Sequence, residues 1–158
     1  MTKEELKERF RQFSLRIINL VNSMPNSIAG NTIAKQIVRS GTSPAANYRA
    51  ACLAKSDKDF LNKLKMVEEE IDETQHWLSI IMDAGMISKA RVLSLYEESI
   101  ELNRIIVKSI ISTKSRIEND KITLSHKELL GTWQENADLF SVGETVTGIV
   151  RSVESYGI

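Results

Sequence analysis

Residues 56–85 read SDKDFLNKLKMVEEEIDETQHWLSIIMDAG, and the pattern within this stretch decides the fold. Its apolar residues, together with one threonine, follow spacings that alternate between four and three: Phe60, Leu64, Val67, Ile71, Thr74, Leu78 and Ile81. This period lays one stripe along an α-helix. Ser56 and Asp59 are typical of a helix N-terminus, and Gly85 is typical of a helix end. We therefore predict a long amphipathic helix over residues 56–85.

Two further helices are predicted before this one. The first covers residues 2–24 and ends at Pro25, with an apolar stripe of Leu6, Phe10, Phe13, Ile17, Leu20 and Met24. The second begins near Ser27 or Asn31 and runs to about Lys55. Its predicted inward face is mostly small, which lets a neighbouring helix approach closely: Ala34, Val38, Gly41, Ala45, Tyr48 and Cys52. Pro44 lies in its middle and predicts either a kink or a break with a restart.

A fourth helix, predicted over residues 88–117, carries two apolar stripes. One stripe contains Leu95, Leu102 and Ile106; the other contains Leu93, Tyr96, Ile100, Val107 and Ile110. A surface helix needs one apolar stripe, so the second indicates contact with another helix of the bundle or with another subunit. We predict an oligomer interface at Leu93, Tyr96, Ile100 and Val107. Four long helices with short connections favour an all-α, antiparallel, up-and-down four-helix bundle over residues 1–117.

Residues 118–158 form a predicted C-terminal extension of different character. Residues 118–131 are polar with a short apolar turn at Leu129 and Leu130, and Val146, Gly148 and Val150 alternate as in a β-strand. Two strands bury too little surface to be stable alone. We expect the extension to dock on the bundle, to pair with another chain or to stay mobile.

The net charge of zero hides an uneven distribution. The chain has 21 basic and 21 acidic side chains, but residues 1–117 hold 18 basic and 14 acidic ones and residues 118–158 hold 3 and 7. Within the bundle, residues 1–66 hold 12 basic and 5 acidic side chains. Basic clusters of this kind can contact phosphates, and a symmetric oligomer would repeat them. The candidate nucleic-acid-binding residues are Arg39, Arg49, Lys55, Lys58, Lys63 and Lys65.

Other chemistry finds little support in the sequence. Glu73 and His76 form one Glu-x-x-His pair, but a di-metal bundle needs a second pair, and His126 is preceded by Thr123 at the matching position. Cys52, the single cysteine, lies on an apolar helix face, so we predict a buried structural thiol and a reducing, cytoplasmic setting. We expect no metal, no cofactor, no catalytic residues, no small-molecule substrate and no membrane span.

One long motif resembles a known family. The run RSGTSPAANYRAA over residues 39–51 is followed by Ala54-Lys55-Ser56, Asp59-Phe60, Lys63-Leu64-Lys65, Glu70, Asp72-Glu73-Thr74 and Trp77-Leu78. Over residues 3–117 the chain resembles the small four-helix-bundle proteins encoded in intervening sequences of bacterial 23S rRNA genes, relatives of the accessory protein of diversity-generating retroelements. The resemblance implies a homo-oligomer, a pentameric ring in relatives, with no established enzymatic activity. The accessory-protein branch further implies binding of RNA, DNA or a reverse transcriptase through basic residues. The family pattern also implies a second helix that continues through Pro44.

The extension resembles something different, the first two strands of an OB-type RNA-binding domain of the ribosomal protein S-one kind. The resemblance is carried by Phe140, Gly143, Val146, Gly148, Val150, Val153, Tyr156, Gly157 and Ile158. A complete OB barrel has five strands, so the binding function of that domain is not carried over. We expect a non-enzymatic, homo-oligomeric nucleic-acid or ribonucleoprotein accessory protein. The alternative is a structural or protein-interaction module whose charges serve self-assembly alone.

Overall fold

The computed structural model describes the backbone of residues 1–130 and the side chains of residues 1–119, and this part of the chain is all-α. Its helices are α1 (Lys3–Val21), α2 (Ile28–Ala51), α3 (Asp57–Asp83) and α4 (Lys89–Leu130). The predicted helical fold is confirmed. The predicted β structure of the extension lies outside the described residues.

Hydroxyl side chains fix where the first three helices begin. Thr2 Oγ1 accepts from Glu5 N at 3.2 Å, and Glu5 Oε2 accepts from Thr2 N at 2.7 Å, which completes a capping box. Ser27 Oγ accepts from Gly30 N and Ser56 Oγ accepts from Asp59 N, so these hydroxyls cap α2 and α3. The helices end slightly earlier than predicted, α1 at Val21 and α2 at Ala51.

Side-chain pairs between helices show that neighbours run antiparallel. As residue numbers rise along α1, the numbers of their partners in α4 fall. Arg9 pairs with Glu98, Arg16 with Ser94, and Ser23, just after α1, with Arg91. Arg39 of α2 meets Glu70 and Glu73 of α3, while Arg116 of α4 meets Asp57 at the start of α3. Ser14 of α1 also contacts Gly41 of α2, so each helix has two neighbours, as in an up-and-down bundle.

The core is continuous across all four helices. Its largest fully buried side chains come from each of them: Phe10, Phe13, Ile17, Ile37, Leu64, Val67, Ile71, Leu78, Ile81, Val92, Leu102 and Ile106. The predicted stripes of α1 and α3 supply most of this set, although Met24 and Phe60 are only partly buried. Thr74 is buried as predicted, and its hydroxyl donates to the Glu70 carbonyl at 2.7 Å. That hydrogen bond satisfies a polar group which would otherwise be costly to bury.

Helix α2 continues through Pro44, so of the two predicted alternatives, a kink or a break, the break does not occur. The predicted inward face is partly wrong, since Ala34, Val38, Ala45 and Cys52 are only half-buried. The buried residues are Gly30, Ile37, Ser40, Gly41, Pro44, Tyr48 and Ala51. The two sets share Gly41 and Tyr48 and otherwise differ by a rotation of about 100° or less, which the helical period alone does not resolve.

Gly41 sets the distance between α1 and α2. A Cβ atom built at Gly41 would lie 2.8 Å from both Cγ1 and Cγ2 of Ile17, which is fully buried. Ser14 lies one turn away, and its hydroxyl donates to Phe10 O at 3.0 Å and contacts Gly41 O at 3.3 Å. The helix backbones approach closely here because position 41 has no side chain.

Helix α4 is longer than predicted. Instead of ending near residue 117 it runs to Leu130, so most of the stretch 118–131, which the sequence analysis placed outside the fourth helix, continues α4. The first compact unit of the chain is nevertheless Met1–Asn119. The last buried side chains of α4 in this unit are Ile110 and Thr113.

We expect Gly41→Ala to destabilise the bundle by about 1–3 kcal/mol, because the new methyl group overlaps a buried side chain. Urea unfolding followed by circular dichroism measures this cost. In an Ile17→Ala background, which removes the two carbons at 2.8 Å and leaves the Cβ atom at 3.2 Å, most of the cost of Gly41→Ala should disappear. Additive free energies in the double variant would show that α1 and α2 do not meet tightly at this point.

We also expect a chain ending after Asn119 to keep a single cooperative thermal transition. The buried side chains described above end at Thr113, so the shortened chain retains all of them. Thermal denaturation followed at 222 nm checks this. A broad transition, or helicity far below that of the remaining helices, would mean that later residues contribute to the core.

Candidate nucleic-acid interface

The structure separates the six predicted basic residues by their surroundings, and Arg39 is the most constrained. Its Nη2 donates to both Glu73 oxygens at 2.5 and 2.6 Å, and its Nη1 donates to Glu70 Oε1 at 3.3 Å. Trp77 Nε1 also donates to Glu73 at 3.1 Å. The Arg39 hydrogen bonds hold the pKa of Glu73 below its ordinary value. Arg39 thus ties α2 to α3, and its charge is largely matched.

The charge of Lys63 is also balanced by a carboxylate. Its ammonium group pairs with Asp59 one turn earlier, and the backbone N–H of Lys55 donates to the same carboxylate at 3.1 Å. The hydrogen bond from Lys63, followed by the one from the backbone of Lys55, lowers the pKa of Asp59. Lys63 therefore stabilises the start of α3 rather than presenting a free charge.

Arg39 is exposed despite its ion pairs, and the other four of the six are exposed as well: Arg49, Lys55, Lys58 and Lys65. Among the side chains of residues 1–119, none of these four pairs with a carboxylate. Lys58 and Lys65 are two helical turns apart on the outer face of α3. Arg49 is separate, since it borders a groove between α1 and α2 that also contains Lys7 and Arg11.

Lys55 has two basic neighbours that the sequence pattern does not indicate. A polar groove of about 320 Å³ at the α2–α3 turn is lined by Lys55 together with Lys3 and Arg116. Arg116 also bonds to Asp57 at 3.1 Å, which neutralises part of its charge. These three basic residues come from three distant parts of the sequence, so no local motif could have grouped them.

The aromatic residues near these lysines do not offer stacking platforms. Tyr48 is buried, with its ring centroid 5.2 Å from that of Phe10. Burial raises the pKa of Tyr48 to about 12. Phe60 is half-buried and packs against the core. The exposed lysines can contact phosphates, but this surface has no aromatic face on which a base could stack.

Other candidate chemistry is equally limited within the described residues. Residues 1–119 contain no group of three or more His, Cys, Asp or Glu side chains that could hold a metal ion. His76 is exposed and lies edge-on to Trp77, with centroids 5.0 Å apart. Cys52 is free and half-buried beside the Lys55 groove, so the prediction of full burial is wrong; it lies at the C-cap of α2, where the chain leaves the core. None of the helices in the described region is long and apolar enough to cross a bilayer.

The predicted oligomer stripe lies at the surface of α4. Leu93 is 39% exposed, while Tyr96, Ile100 and Val107 are half-buried. Ile110, which the pattern placed in the same stripe, is buried in the core, and its neighbour Ile111 is 59% exposed. The sequence pattern missed Ile111 because residues 107, 110 and 111 all continue a helical period.

A groove of about 350 Å³ runs beside this stripe, between α3 and α4. Apolar Ile100, Val107 and Ile111 line it together with Gln75, Asn103, Arg104 and Lys108. Gln75 Nε2 and Asn103 Oδ1 are buried there and have no hydrogen-bond partner among the described residues. The groove thus combines exposed apolar surface with an unpaired donor and an unpaired acceptor.

These observations define an all-α, antiparallel helical protein whose candidate sites are charged and apolar surfaces of the bundle. The chain belongs to the 23S rRNA-intervening sequence protein family, whose model matches residues 3–108. Among solved structures it is similar to a protein of unknown function from the S23 ribosomal protein family of Bacteroides thetaiotaomicron VPI-5482. The two chains are 35% identical with a TM-score of 0.63, and the match covers 66% of this chain and 97% of that one. Comparison with curated proteins returned no match.

We expect Arg39→Gln to raise the pKa of Glu73 toward its ordinary value, because the largest cause of its lowering is removed. A carboxylate with a lowered pKa stabilises the fold at neutral pH, and this contribution is lost as the pH falls through that lowered pKa. Carbon NMR titration of the Glu73 carboxyl measures the change.

Lys63→Gln is the matched control. It should raise the pKa of Asp59 and leave that of Glu73 in place. An unchanged Glu73 titration in Arg39→Gln would show that the α2–α3 ion pair does not form in solution.

Proposed function

We propose that this chain is a non-enzymatic, homo-oligomeric accessory protein that binds nucleic acid, or a ribonucleoprotein, through exposed lysines around the start of α3. One observation carries the proposal: Lys55, Lys58 and Lys65 are exposed and lack carboxylate partners among residues 1–119, whereas Arg39 and Lys63 are paired. Free lysines release counterions when they meet phosphates, which favours binding.

The proposed interaction is with the sugar–phosphate backbone. Lysine contacts a phosphate as a point charge, and phosphate contacts position a protein without specifying sequence. One copy offers only a few such contacts. A symmetric assembly would repeat them at fixed distances, which increases avidity for a folded polyanion.

Family membership favours RNA as the first partner to test. The name of the family refers to an intervening sequence of 23S rRNA, and the solved relative is described as belonging to the S23 ribosomal protein family. Structured RNA displays closely spaced phosphates that an array of lysines can meet. Duplex DNA provides the comparison that separates RNA preference from general polyanion binding.

A second candidate function is a structural or protein-interaction module without nucleic-acid binding. The apolar stripe of α4 and the neighbouring groove favour this alternative, since they indicate a protein contact by themselves. In that case the exposed lysines would keep the assembly soluble, and binding to polyanions would be weak at physiological salt.

We expect Lys58→Glu with Lys65→Glu to weaken binding to a structured RNA and to reduce its salt dependence. The slope of log affinity against log salt should fall by about 0.7–0.9 for each phosphate that the variant no longer neutralises. Fluorescence anisotropy over a salt series measures both changes.

Lys35→Glu with Lys89→Glu is the matched control, because both lysines are exposed and belong to the opposite end of the bundle. It makes the same change in net charge and should weaken binding much less. Equal losses of affinity in the two double variants would indicate a response to net charge alone. Wild-type binding that is weak and insensitive to salt would favour the second candidate function.

A further inference from the structure

We propose that a groove between α1 and α4 binds a small phosphate-bearing ligand, with Arg16 and Arg91 as its two positive groups. This α1–α4 groove has a volume of about 220 Å³ and is lined by Arg16, Asn19, Leu20, Arg91, Ser94 and Leu95. None of these six lining residues is acidic. The site is separate from the lysines around the start of α3, and the inference does not depend on the nucleic-acid binding proposed above.

A neighbouring ion pair shows how an arginine between α1 and α4 is neutralised. Among residues 1–119, three hydrogen-bonded pairs join α1, or the turn after it, to α4. In the first pair Arg9 Nε donates to Glu98 Oε1 at 2.6 Å, and Arg9 Nη2 donates to Glu98 Oε2 at 2.9 Å. A carboxylate bound in this way occupies two donors of the arginine fork and balances its charge. Little of the charge of Arg9 is left for a ligand.

In the other two pairs a serine hydroxyl takes the place of the carboxylate. Arg16 Nη2 donates to Ser94 Oγ at 3.0 Å. Arg91 Nη2 donates to Ser23 Oγ at 3.1 Å. Neither arginine forms an ion pair with a carboxylate among residues 1–119. A hydroxyl accepts one hydrogen bond without balancing the charge, so each guanidinium keeps further N–H donors for a ligand.

This lack of a carboxylate distinguishes the two arginines from most others in the described region. The arginines of residues 1–119 that pair with a carboxylate are Arg9, Arg11, Arg39, Arg104 and Arg116. Of the remaining three, Arg16 and Arg91 line one groove, whereas Arg49 borders the separate α1–α2 groove. Two unbalanced positive charges in one groove repel each other, and a bound anion converts this repulsion into attraction.

The size and the donors of the groove favour a phosphate group. Its volume of about 220 Å³ lies below the roughly 300 Å³ at which pockets for drug-sized ligands begin. The planar fork of arginine matches phosphate oxygens, and two such forks balance a dianion. The Ser94 hydroxyl and the Asn19 side-chain amide can donate to further oxygens. Leu20 and Leu95 are buried and give the groove an apolar wall, which strengthens the attraction between charges beside it.

The α1–α4 groove lies apart from the other candidate surfaces of the bundle. Arg91 is in the first turn of α4 and Lys58 is in the first turn of α3, so in an antiparallel bundle they belong to opposite ends. Ile100 and Val107 of the predicted oligomer stripe line the α3–α4 groove, whereas Arg91 and Ser94 face α1. Assembly through that stripe would therefore leave the α1–α4 groove open to solvent.

Titration of the full chain with inorganic phosphate at constant ionic strength tests the proposal, and NMR of the arginine Nε–H groups is the readout. We expect saturable shifts at Arg16 and Arg91 and small changes at Arg11 and Arg104, which are paired within their own helices. Acetate should bind more weakly, because a monoanion balances only one of the two charges. Shifts that do not saturate, or equal responses to phosphate and acetate, would overturn the proposal.

Arg16→Gln with Arg91→Gln should weaken phosphate binding about tenfold or more, since each lost contact is a hydrogen bond from a charged group. The Ser94 backbone amide signal reports binding in the variants. Arg11→Gln with Arg104→Gln is the matched control, because it removes two charges from exposed arginines outside the groove. It should bind phosphate like the wild type. Equal losses in the two double variants would indicate a response to net charge and contradict the site.

A substitution that keeps both arginines separates binding from folding. Ser94→Asp places a carboxylate beside Arg16, as Glu98 stands beside Arg9, so it should abolish phosphate binding. Thermal denaturation should show an unchanged or higher transition temperature, because no core residue is altered. Ser94→Asn, which has a similar size and no charge, should retain most of the affinity. Phosphate binding that survives Ser94→Asp would contradict the role of Arg16.

The RNA-binding assay described above identifies the source of the phosphate group. Arg16→Gln with Arg91→Gln should lower RNA affinity no more than Arg11→Gln with Arg104→Gln, because the groove and the lysines lie at opposite ends. A larger loss would assign the groove to the RNA backbone and contradict a separate small ligand. Phosphate binding by a wild type that does not bind RNA would contradict the proposed function and support this site.

Discussion

The close approach of α1 and α2 at Gly41 is the constraint on which the described bundle depends. Ile17 fills the space that a side chain at position 41 would occupy, and the buried Pro44 and Tyr48 continue the same face of α2. Because α2 is held near α1 by small residues, its opposite edge is placed where Arg39 can reach the acidic residues of α3. Packing on one side of α2 thus determines which charges meet on the other.

This arrangement divides the basic residues into matched and unmatched groups. Surface ion pairs generally contribute little to stability, so the pairs of Arg39 and Lys63 matter mainly for which charges they remove from the surface. The acidic second half of α3 neutralises Arg39, while its first half leaves Lys58 and Lys65 unmatched. The distribution of partners, more than the number of basic residues, defines the candidate interface.

The sequence predicts the helices well because the side-chain periods of α1 and α3 are unambiguous. Position 74 illustrates this strength: threonine occupies a core position, and its hydroxyl is satisfied within its own helix. The inward face of α2 is less predictable. Small residues occur on several sides of this helix, so two neighbouring stripes both fit the helical spacing. The end of α4 is not predictable either, because polar residues after 117 lack an apolar stripe even though the helix continues.

The candidate interface is predictable in composition but not in detail. Whether Arg39 is free depends on the register between α2 and α3, since Glu73 is 34 residues away in the sequence. Grouping Lys55 with Lys3 and Arg116 requires the ends of three helices to meet. Both facts are tertiary, and neither has a local signal.

The order of basic and acidic residues along α3 also restricts how a polyanion could approach. Lys58 and Lys65 precede Glu69 and Asp72 on the same exposed face, and Lys65 and Glu69 are one turn apart. This separation is about 6 Å along the axis, which is less than the Debye length of about 8 Å at physiological salt. Phosphates lying along α3 would therefore gain from its first half and be repelled by its second. Binding across the α2–α3 turn avoids this repulsion, because Lys55 lies there together with Lys3 and Arg116 from the neighbouring helices. For the nucleic-acid binding that we propose, this order of charges favours contact with one end of the bundle.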